Sequence, residues 1–286
     1  GLICAKSLVD AGFSCVVLES NASVGGVWRY QANDTSRVNS SEPSYRAVDR
    51  TASTNTDHTP AAQIMADLDE IAGTDLAGHI RLQTKVLKVR DAEGDVHGHA
   101  IEYEDTRNGR KDVLHASKVF VCCNRRLGTP RRVTYAGEEN FKGHIVYGMA
   151  NEVTKVNSFS GRAVLVVGGG AFATEAARTA LEAGASKVTV LSRRRGSVCP
   201  LIVDYLNFVR PFNENFVHAK EGSSLIFSAW VSALDACGVK HPECWKEGRM
   251  APHGHTISVS DIWFIAHYYG ALDTVLGEVA TVSAGG

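Results

Sequence analysis

The stretch from Gly161 to Arg195 limits the possible folds more than any other part of the chain. Ala163 to Val167 is a short apolar, β-branched run of the kind expected of a buried parallel strand. Gly168-x-Gly170-x-x-Ala173 follows at once and opens a helical pattern. On that helix Ala173, Ala176, Ala177, Ala180 and Leu181 recur at i, i+3, i+4, i+7 and i+8. This is one apolar face of small residues, which lets helix and strand pack closely. Gly184 suits the helix stop, and Lys187 to Leu191 is a second strand. Strand, Gly-rich turn, helix and strand in this register predict a βαβ unit that binds a dinucleotide. Gly168 permits the tight turn and Gly170 lets a pyrophosphate approach the backbone. Ala171, Phe172 and Ala173 begin the helix whose free N–H groups and dipole would hold the phosphate charge. The second strand ends in Ser192-Arg193-Arg194, where a site for NAD carries Asp or Glu. A cation there suits the 2′-phosphate of NADP, and the bland alternative is a solvated basic loop.

The first residues repeat the unit. Asp10-Ala11-Gly12 matches Glu182-Ala183-Gly184, and Cys15 to Leu18 matches Val188 to Leu191. Aligned this way, Gly1 falls on Ala173, the third small residue of the fingerprint. The strand and first two glycines of this copy are absent, and no Met starts the chain, so the expectation is a fragment. This copy's strand ends in an acid, Glu19, placed to accept hydrogen bonds from a ribose, with Ser20 beside it. Opposite charges at the two strand ends predict two different cofactors.

Next comes Glu19-x-x-x-x-x-Gly25-Gly26-Val27-Trp28. Here the chain resembles the flavin-containing monooxygenases and their Baeyer–Villiger relatives. The resemblance implies an α/β protein with two Rossmann-like dinucleotide-binding domains, each a three-layer parallel sheet, the first one N-terminally truncated. It implies an FAD-binding domain over residues 1–157 and an NADPH-binding domain over residues 158–286, both incomplete. It also implies that Gly1, Glu19, Ser20, Gly25, Gly26, Val27 and Trp28 face FAD. Thr54-Asn55 resembles a family pair whose Asn faces the reactive flavin edge, so Asn55 is the candidate catalytic residue; its bland reading is a turn. Thr84-x-Val86 resembles the strand whose Val backbone contacts adenine. Lys118 to Cys123 reads as another buried strand; the family ends this strand in Ala-Thr-Gly, whereas this chain has Cys122-Cys123-Asn124, so Asn124 takes the place beside the cofactor. The linker Phe141-x-Gly143-x-x-x-Tyr147-x-x-x-Asn151 is similar to the family fingerprint, with Tyr147 in place of His and Asn151 in place of an aromatic residue.

The implied chemistry is reduction of FAD by NADPH, capture of O2 as a flavin C4a-hydroperoxide, and oxygenation of a nitrogen or sulfur atom of a small molecule. Baeyer–Villiger oxygenation of a ketone and a non-catalytic nucleotide-binding remnant stand as alternatives. A flavin disulfide reductase would need close cysteines near the first unit, and Val16 to Val121 contains none.

The other segments are less informative. Gln31 to Thr59 is rich in Ser, Thr, Asn and Asp and reads as a long loop. Pro60 to Ala72 reads as a helix with Thr59 as N-cap and Ile64, Leu68 and Ile71 as its apolar face. Ile80 to Val89 and Ala100 to Tyr103 alternate as strands, with a hairpin turn at Asn108-Gly109. Ser223 to Cys237 and Ser258 to Leu272 read as helices, the second capped by Ser258 or Ser260, and Val275 to Ser283 as a strand. Cys237, His241, Cys244, His253 and His255 match no common zinc spacing, so no metal is expected. A net charge of −1 over 286 residues does not favour nucleic acid. No apolar run reaches the roughly 20 residues of a membrane span. Seven scattered cysteines give no disulfide framework, and the cytoplasm is the expected compartment.

Overall fold

A computed structural model of the chain describes residues 1–42, 45, 55–92, 98–123, 131–153, 156, 159–209, 220–243 and 257–285, with residues 206–209 and 220–227 described by backbone alone. The chain forms two compact units. One is built mainly from Gly1–Gln31 and Ala62–Arg131, the other mainly from Arg132–Gly286 with the segments Ala32–Arg46 and Ala52–Ala61.

In the first unit, α1 (Leu2–Asp10) buries Leu2 and Ala5 against Val24, Ile71 and Leu76. β1 (Val17–Leu18) follows, then the single-turn helix α2 (Gly26–Tyr30) and α3 (Ala61–Gly73). The i, i+4, i+7 spacing of Ile64, Leu68 and Ile71 gives α3 its apolar stripe, and Ile71 is completely enclosed at 1% exposure. Thr59 does not cap this helix with its hydroxyl, which donates instead to the Thr56 carbonyl at 2.9 Å. β1 pairs in parallel with β2 (Ile80–Arg81). β3 (Thr84–Asp91), β4 (His99–Asp105) and β5 (Arg110–Ala116) form an antiparallel meander in that order. The expected strand from Ile80 to Val89 is broken in two at Gln83, whose φ of +52° no ladder accommodates. The hairpin turn lies where Asn108-Gly109 predicts it, with Gly109 at φ +72°.

Two expectations fail in this unit. Beside the parallel pair β1-β2, the antiparallel meander β3-β4-β5 departs from the expected parallel sheet. Lys118 to Cys123 is not a buried strand: it belongs to no sheet, and Phe120 and Val121 are 59% and 75% exposed. A β-branched run becomes a strand only when a ladder takes up its N–H and C=O groups, and among the described residues none lies beside it.

In the second unit, β6 (Ala163–Val167), β7 (Lys187–Ser192) and β10 (Leu272–Leu276) form a parallel sheet in the order β10-β7-β6. α4 (Ala171–Glu182) crosses from β6 to β7. α5 (Leu201–Val209), α6 (Lys220–Ala236) and α7 (Asp261–Tyr268) follow, and the short pair β8 (Val198–Cys199) and β9 (Ser258–Val259) joins in parallel. The small face of α4 does what its spacing predicts: Ala177 and Ala180, each 1% exposed, pack with Val188, Val190, Trp230, Leu234, Trp263, Phe264 and Leu272. Ser260 caps α7, its hydroxyl accepting the Trp263 N–H at 3.3 Å. The expected helix up to Leu272 therefore spans only Asp261–Tyr268, and the final strand is Leu272–Leu276 rather than Val275–Ser283. Gly270 at φ +70° ends the helix and frees Leu272 to pair with Val188.

β6 is buried on one face only. Val164 and Val166 pack into the core, whereas Leu165 and Val167 are 56% and 49% exposed on the opposite face. Among the described residues, α4, α6 and α7 pack on the face that carries Val164 and Val166. Among the described residues no helix is long and apolar enough to cross a membrane.

Candidate nucleotide-binding sites

The second site is assembled at the carboxyl ends of β6 and β7. Gly168 stands at φ +131°, a conformation closed to most side chains, and its N–H donates to the Leu191 carbonyl at 2.8 Å. The turn is thereby fixed to the neighbouring strand. Gly170 is the N-cap of α4, no side chain caps the helix, and a Cβ added at Gly170 would meet open space. The first N–H groups of the helix therefore lack a side-chain partner and have room in front of them. Ala171 and Phe172 sit in this first turn, Phe172 at 36% exposure, and Ala173 is buried beneath it at 8%. This geometry fits a pyrophosphate: a glycine cradle, donors pointing outward, and the positive end of a helix dipole.

The adjoining basic turn divides its residues between two tasks. Ser192 is 7% exposed, and its hydroxyl donates to the Arg194 carbonyl at 2.7 Å, so it shapes the turn that presents the two arginines. Arg193 and Arg194 are exposed beyond it, with the Arg193 guanidinium 3.5 Å from Glu278. Arg195 instead pairs with Glu243.

Two further glycines escaped the motif reading. A Cβ on Gly169 would lie 3.1 Å from the Ser192 Cβ, and one on Gly196 would lie 2.2 Å from the Gly169 carbonyl oxygen. The cradle and the basic turn thus touch backbone to backbone. The three consecutive glycines at 168–170 hinted at the first approach; nothing local marked Gly196.

In the first unit, Gly1 is the N-cap of α1, again with no side-chain cap. Glu19 ends β1: its N–H donates to the Arg81 carbonyl at 3.0 Å and its carbonyl accepts from Thr84 at 2.8 Å. One carboxylate oxygen accepts from the Asn21 N–H at 2.8 Å and the Asn21 amide at 2.7 Å. The backbone bond orients the carboxylate at the strand end, next to the exposed Ser20. Gly25 at φ +114° leads into α2, and a Cβ there would strike the Met65 methyl at 2.7 Å. Gly26, at φ +50°, has open space around it. Val27 and Trp28 are half-buried on α2. Val86, on β3 two residues after Thr84, is 41% exposed and pairs with Tyr103. Asn55 is half-buried in the segment leading to α3 and packs as part of the second unit. Asn124 and Thr54 lie outside the described residues.

The fingerprint linker is built into the second unit by its side chains. The Phe141 ring lies over Gly143, where a Cβ would come within 2.5 Å of it, so Phe-x-Gly is a packing pair. The Tyr147 hydroxyl donates to the Val133 carbonyl at 2.9 Å and accepts the Val133 N–H at 3.1 Å, while Arg132 stacks over its ring at 4.2 Å. Asn151, at φ +57°, accepts the Asp34 N–H at 2.7 Å, and its own N–H donates to Asn33 at 2.9 Å. Asn33 and Ser36 in turn donate to Glu175 of α4 at 2.8 and 2.7 Å. These loop residues carry no motif that marks them in the sequence.

A second polar cluster holds the same loop to α5. Asp204 is 9% exposed and accepts from the Ser41 N–H at 2.8 Å and the Ser41 hydroxyl at 2.9 Å. Burial holds its carboxyl above the usual carboxylate range, against the opposing pull of the Ser41 hydrogen bonds and of His58. His58, at φ +48° and 7% exposure, bonds the Val38 carbonyl through Nδ1, leaving Nε2 unpartnered 4.0 Å from Asp204 and 3.6 Å from Asp57. Among the described residues no group of His, Cys, Asp and Glu is arranged to hold a metal; Cys244, His253 and His255 lie outside them.

The family model described as FMO-like, flavin-binding monooxygenase-like, matches residues 1–205. Human flavin-containing monooxygenase 5 is 26% identical over 220 residues, 69% of this chain and 38% of that protein. The flavin-containing monooxygenase FMO GS-OX-like 2 of Arabidopsis thaliana is 25% identical over 224 residues, 68% of this chain and 47% of that protein. The chain thus spans less than half the length of these curated relatives. Among solved structures, OTEMO in complex with FAD and NADP has a TM-score of 0.62 at 15% identity, covering 99% of this chain and 65% of that one. The polycyclic ketone monooxygenase of the thermophilic fungus Thermothelomyces thermophila has a TM-score of 0.65 at 14% identity, covering 99% and 58%. At such identities the structures establish a shared Rossmann-type fold. With a family match over most of its length, the chain belongs to the flavin-binding monooxygenase-like family.

Proposed function

We propose that this chain supplies the FAD- and NADPH-binding parts of a cytoplasmic monooxygenase that transfers one oxygen atom of O2 to a nitrogen or sulfur atom of a small molecule. In this reading residues 1–157 serve FAD and residues 158–286 serve NADPH, each as an incomplete Rossmann-like domain. The observation that carries it is the pair of strand ends with opposite charge: Glu19 closing β1 and Arg193 closing β7. A carboxylate accepts hydrogen bonds from ribose hydroxyls, whereas a guanidinium binds phosphate oxygens in pairs.

When bound, the flavin supplies the redox and oxygen chemistry, with NADPH as the hydride source. The chain's own residues bind and orient. Gly168, Gly170 and the first turn of α4 would hold the NADPH pyrophosphate, and Arg193 with help from Ser192 and Arg194 the 2′-phosphate. Gly1, Glu19, Ser20, Gly25, Gly26, Val27 and Trp28 would line the FAD ribose and pyrophosphate, with Val86 and Asn124 toward the rest of the nucleotide. Asn55 would face the reactive flavin edge.

The test is a titration of wild type and Arg193→Ala with NADPH and NADH. Charge-assisted hydrogen bonds contribute on the order of 1.5–3 kcal/mol, or roughly ten- to a hundredfold in affinity. Arg193→Ala should remove most of that preference for NADPH and leave NADH binding nearly unchanged. Equal loss of both cofactors would refute the assignment of Arg193 to the 2′-phosphate.

A further inference from the structure

Arg193 does not stand alone at the end of β7. The register of the parallel pair places Leu276 beside Ser192, and the Gly277 N–H then donates to the Ser192 carbonyl at 3.0 Å. These backbone contacts fix where β10 delivers the next residue, Glu278. Its carboxylate lies 3.5 Å from the Arg193 guanidinium, and both side chains are largely exposed, at 70% and 77%. An anion is therefore held beside the cation that the 2′-phosphate would need. The ladder brings the two residues to adjacent strand ends, and their exposed side chains complete the approach.

We propose that Glu278 is a specificity-determining residue: its carboxylate competes with the 2′-phosphate for Arg193 and lowers the preference for NADPH over NADH. This rests on the NADPH reading above. Binding of the phosphate dianion must displace the Glu278 carboxylate from Arg193 and then tolerate it nearby, and both effects oppose NADPH alone. NADH carries a 2′-hydroxyl and leaves the ion pair intact. Because the pair is exposed, the effect is modest and weakens with salt.

The experiment is equilibrium binding of NADPH and NADH to the full chain as wild type, Glu278→Gln, Arg193→Ala and the double variant. Melting curves confirm that each is folded. Glu278→Gln should tighten NADPH about two- to fivefold at low salt and leave NADH unchanged. The gain should vanish in the Arg193→Ala background. Equal tightening of both cofactors, no change for either, or a gain that persists without Arg193 would each overturn the proposal. If Arg193→Ala abolishes the preference but Glu278→Gln does nothing, the role of Glu278 falls and the NADPH reading stands. If neither wild type nor Glu278→Gln prefers NADPH, both fall.

Discussion

Gly196→Ala tests whether the basic turn buttresses the glycine cradle. The added Cβ would sit 2.2 Å from the Gly169 carbonyl oxygen and 3.3 Å from its carbon, and under 3.0 Å something must shift. The obstacle is backbone, so no rotamer relieves it; the two segments must part by roughly 1 Å to reach ordinary contact. Gly169 cannot yield freely, because the neighbouring Gly168 is tied to β7, its N–H donating to the Leu191 carbonyl at 2.8 Å. The displacement therefore passes to Gly168 and Gly170. Overpacking of this kind costs about 1–3 kcal/mol, and a cradle that must be restored on binding would lose about five- to a hundredfold in affinity. Titration with NADPH and NADH should show both weakened alike, with their ratio preserved and the melting temperature lowered. Gly170→Ala is the contrast: its φ of −101° suits alanine and its Cβ meets open space, so binding should suffer while the melting temperature holds. Wild-type affinity and wild-type melting in Gly196→Ala would show that the Gly169 peptide is not pinned by the turn.

Two other perturbations probe the parts that hold the sites in place. Gly25→Ala combines a φ of +114° with a clash 2.7 Å from the Met65 methyl, so it should destabilise the first unit by about 1–3 kcal/mol in denaturant melts. Adding Met65→Ala should restore part of that loss; complete restoration would mean that the backbone conformation is not strained. Asp204→Asn tests the buried carboxyl through pH. Its folded-state pKa is raised, so its contribution to stability is present below the unfolded value and is lost as pH rises through the folded value. The asparagine variant lacks that loss. The difference in melting temperature, variant minus wild type, should therefore grow from about pH 4 toward neutrality. A difference that is flat, or that grows toward acid, would contradict the assignment.

The legible parts of the fold were those with a local cause. The small-residue face of α4 and the Asn108-Gly109 turn are set by spacing within a dozen residues, and the structure has both where the pattern puts them. The errors share one physical origin. Whether Lys118 to Cys123 is a strand, and whether β6 is buried on both faces, depends on what lies beside them. Apolar runs state only that a partner is wanted. Leu165, Val167, Phe120 and Val121 carry the composition of buried strands, yet they remain exposed among the described residues. Gln83 broke a strand for a similar reason: its N–H donates to the Asn21 carbonyl at 2.9 Å, 62 positions earlier in the chain, and no period along the strand encodes that bond.

The fingerprint shows how far this limit extends into the site. Read alone, Tyr147 and Asn151 look like losses, because the family carries His and an aromatic residue there. The structure gives each a different reason to be present. Position 151 demands a left-handed backbone, which Asn adopts more readily than an aromatic residue does. It also demands an amide: Oδ1 takes the Asp34 N–H, and Nδ2 donates to the Asp34 carboxylate at 3.1 Å. An aromatic side chain provides neither bond. Asn33 completes the contact from the other side and passes it to Glu175 on α4, whose first turn is the proposed phosphate site. The exchange at 151 therefore has meaning only together with Asn33 and Asp34, 118 and 117 positions away, in a loop without periodicity. Residues that hold a cofactor site directly are visible as motifs because the cofactor fixes their spacing. Residues that hold the holders are free to change in pairs, and a single sequence does not reveal which positions are paired.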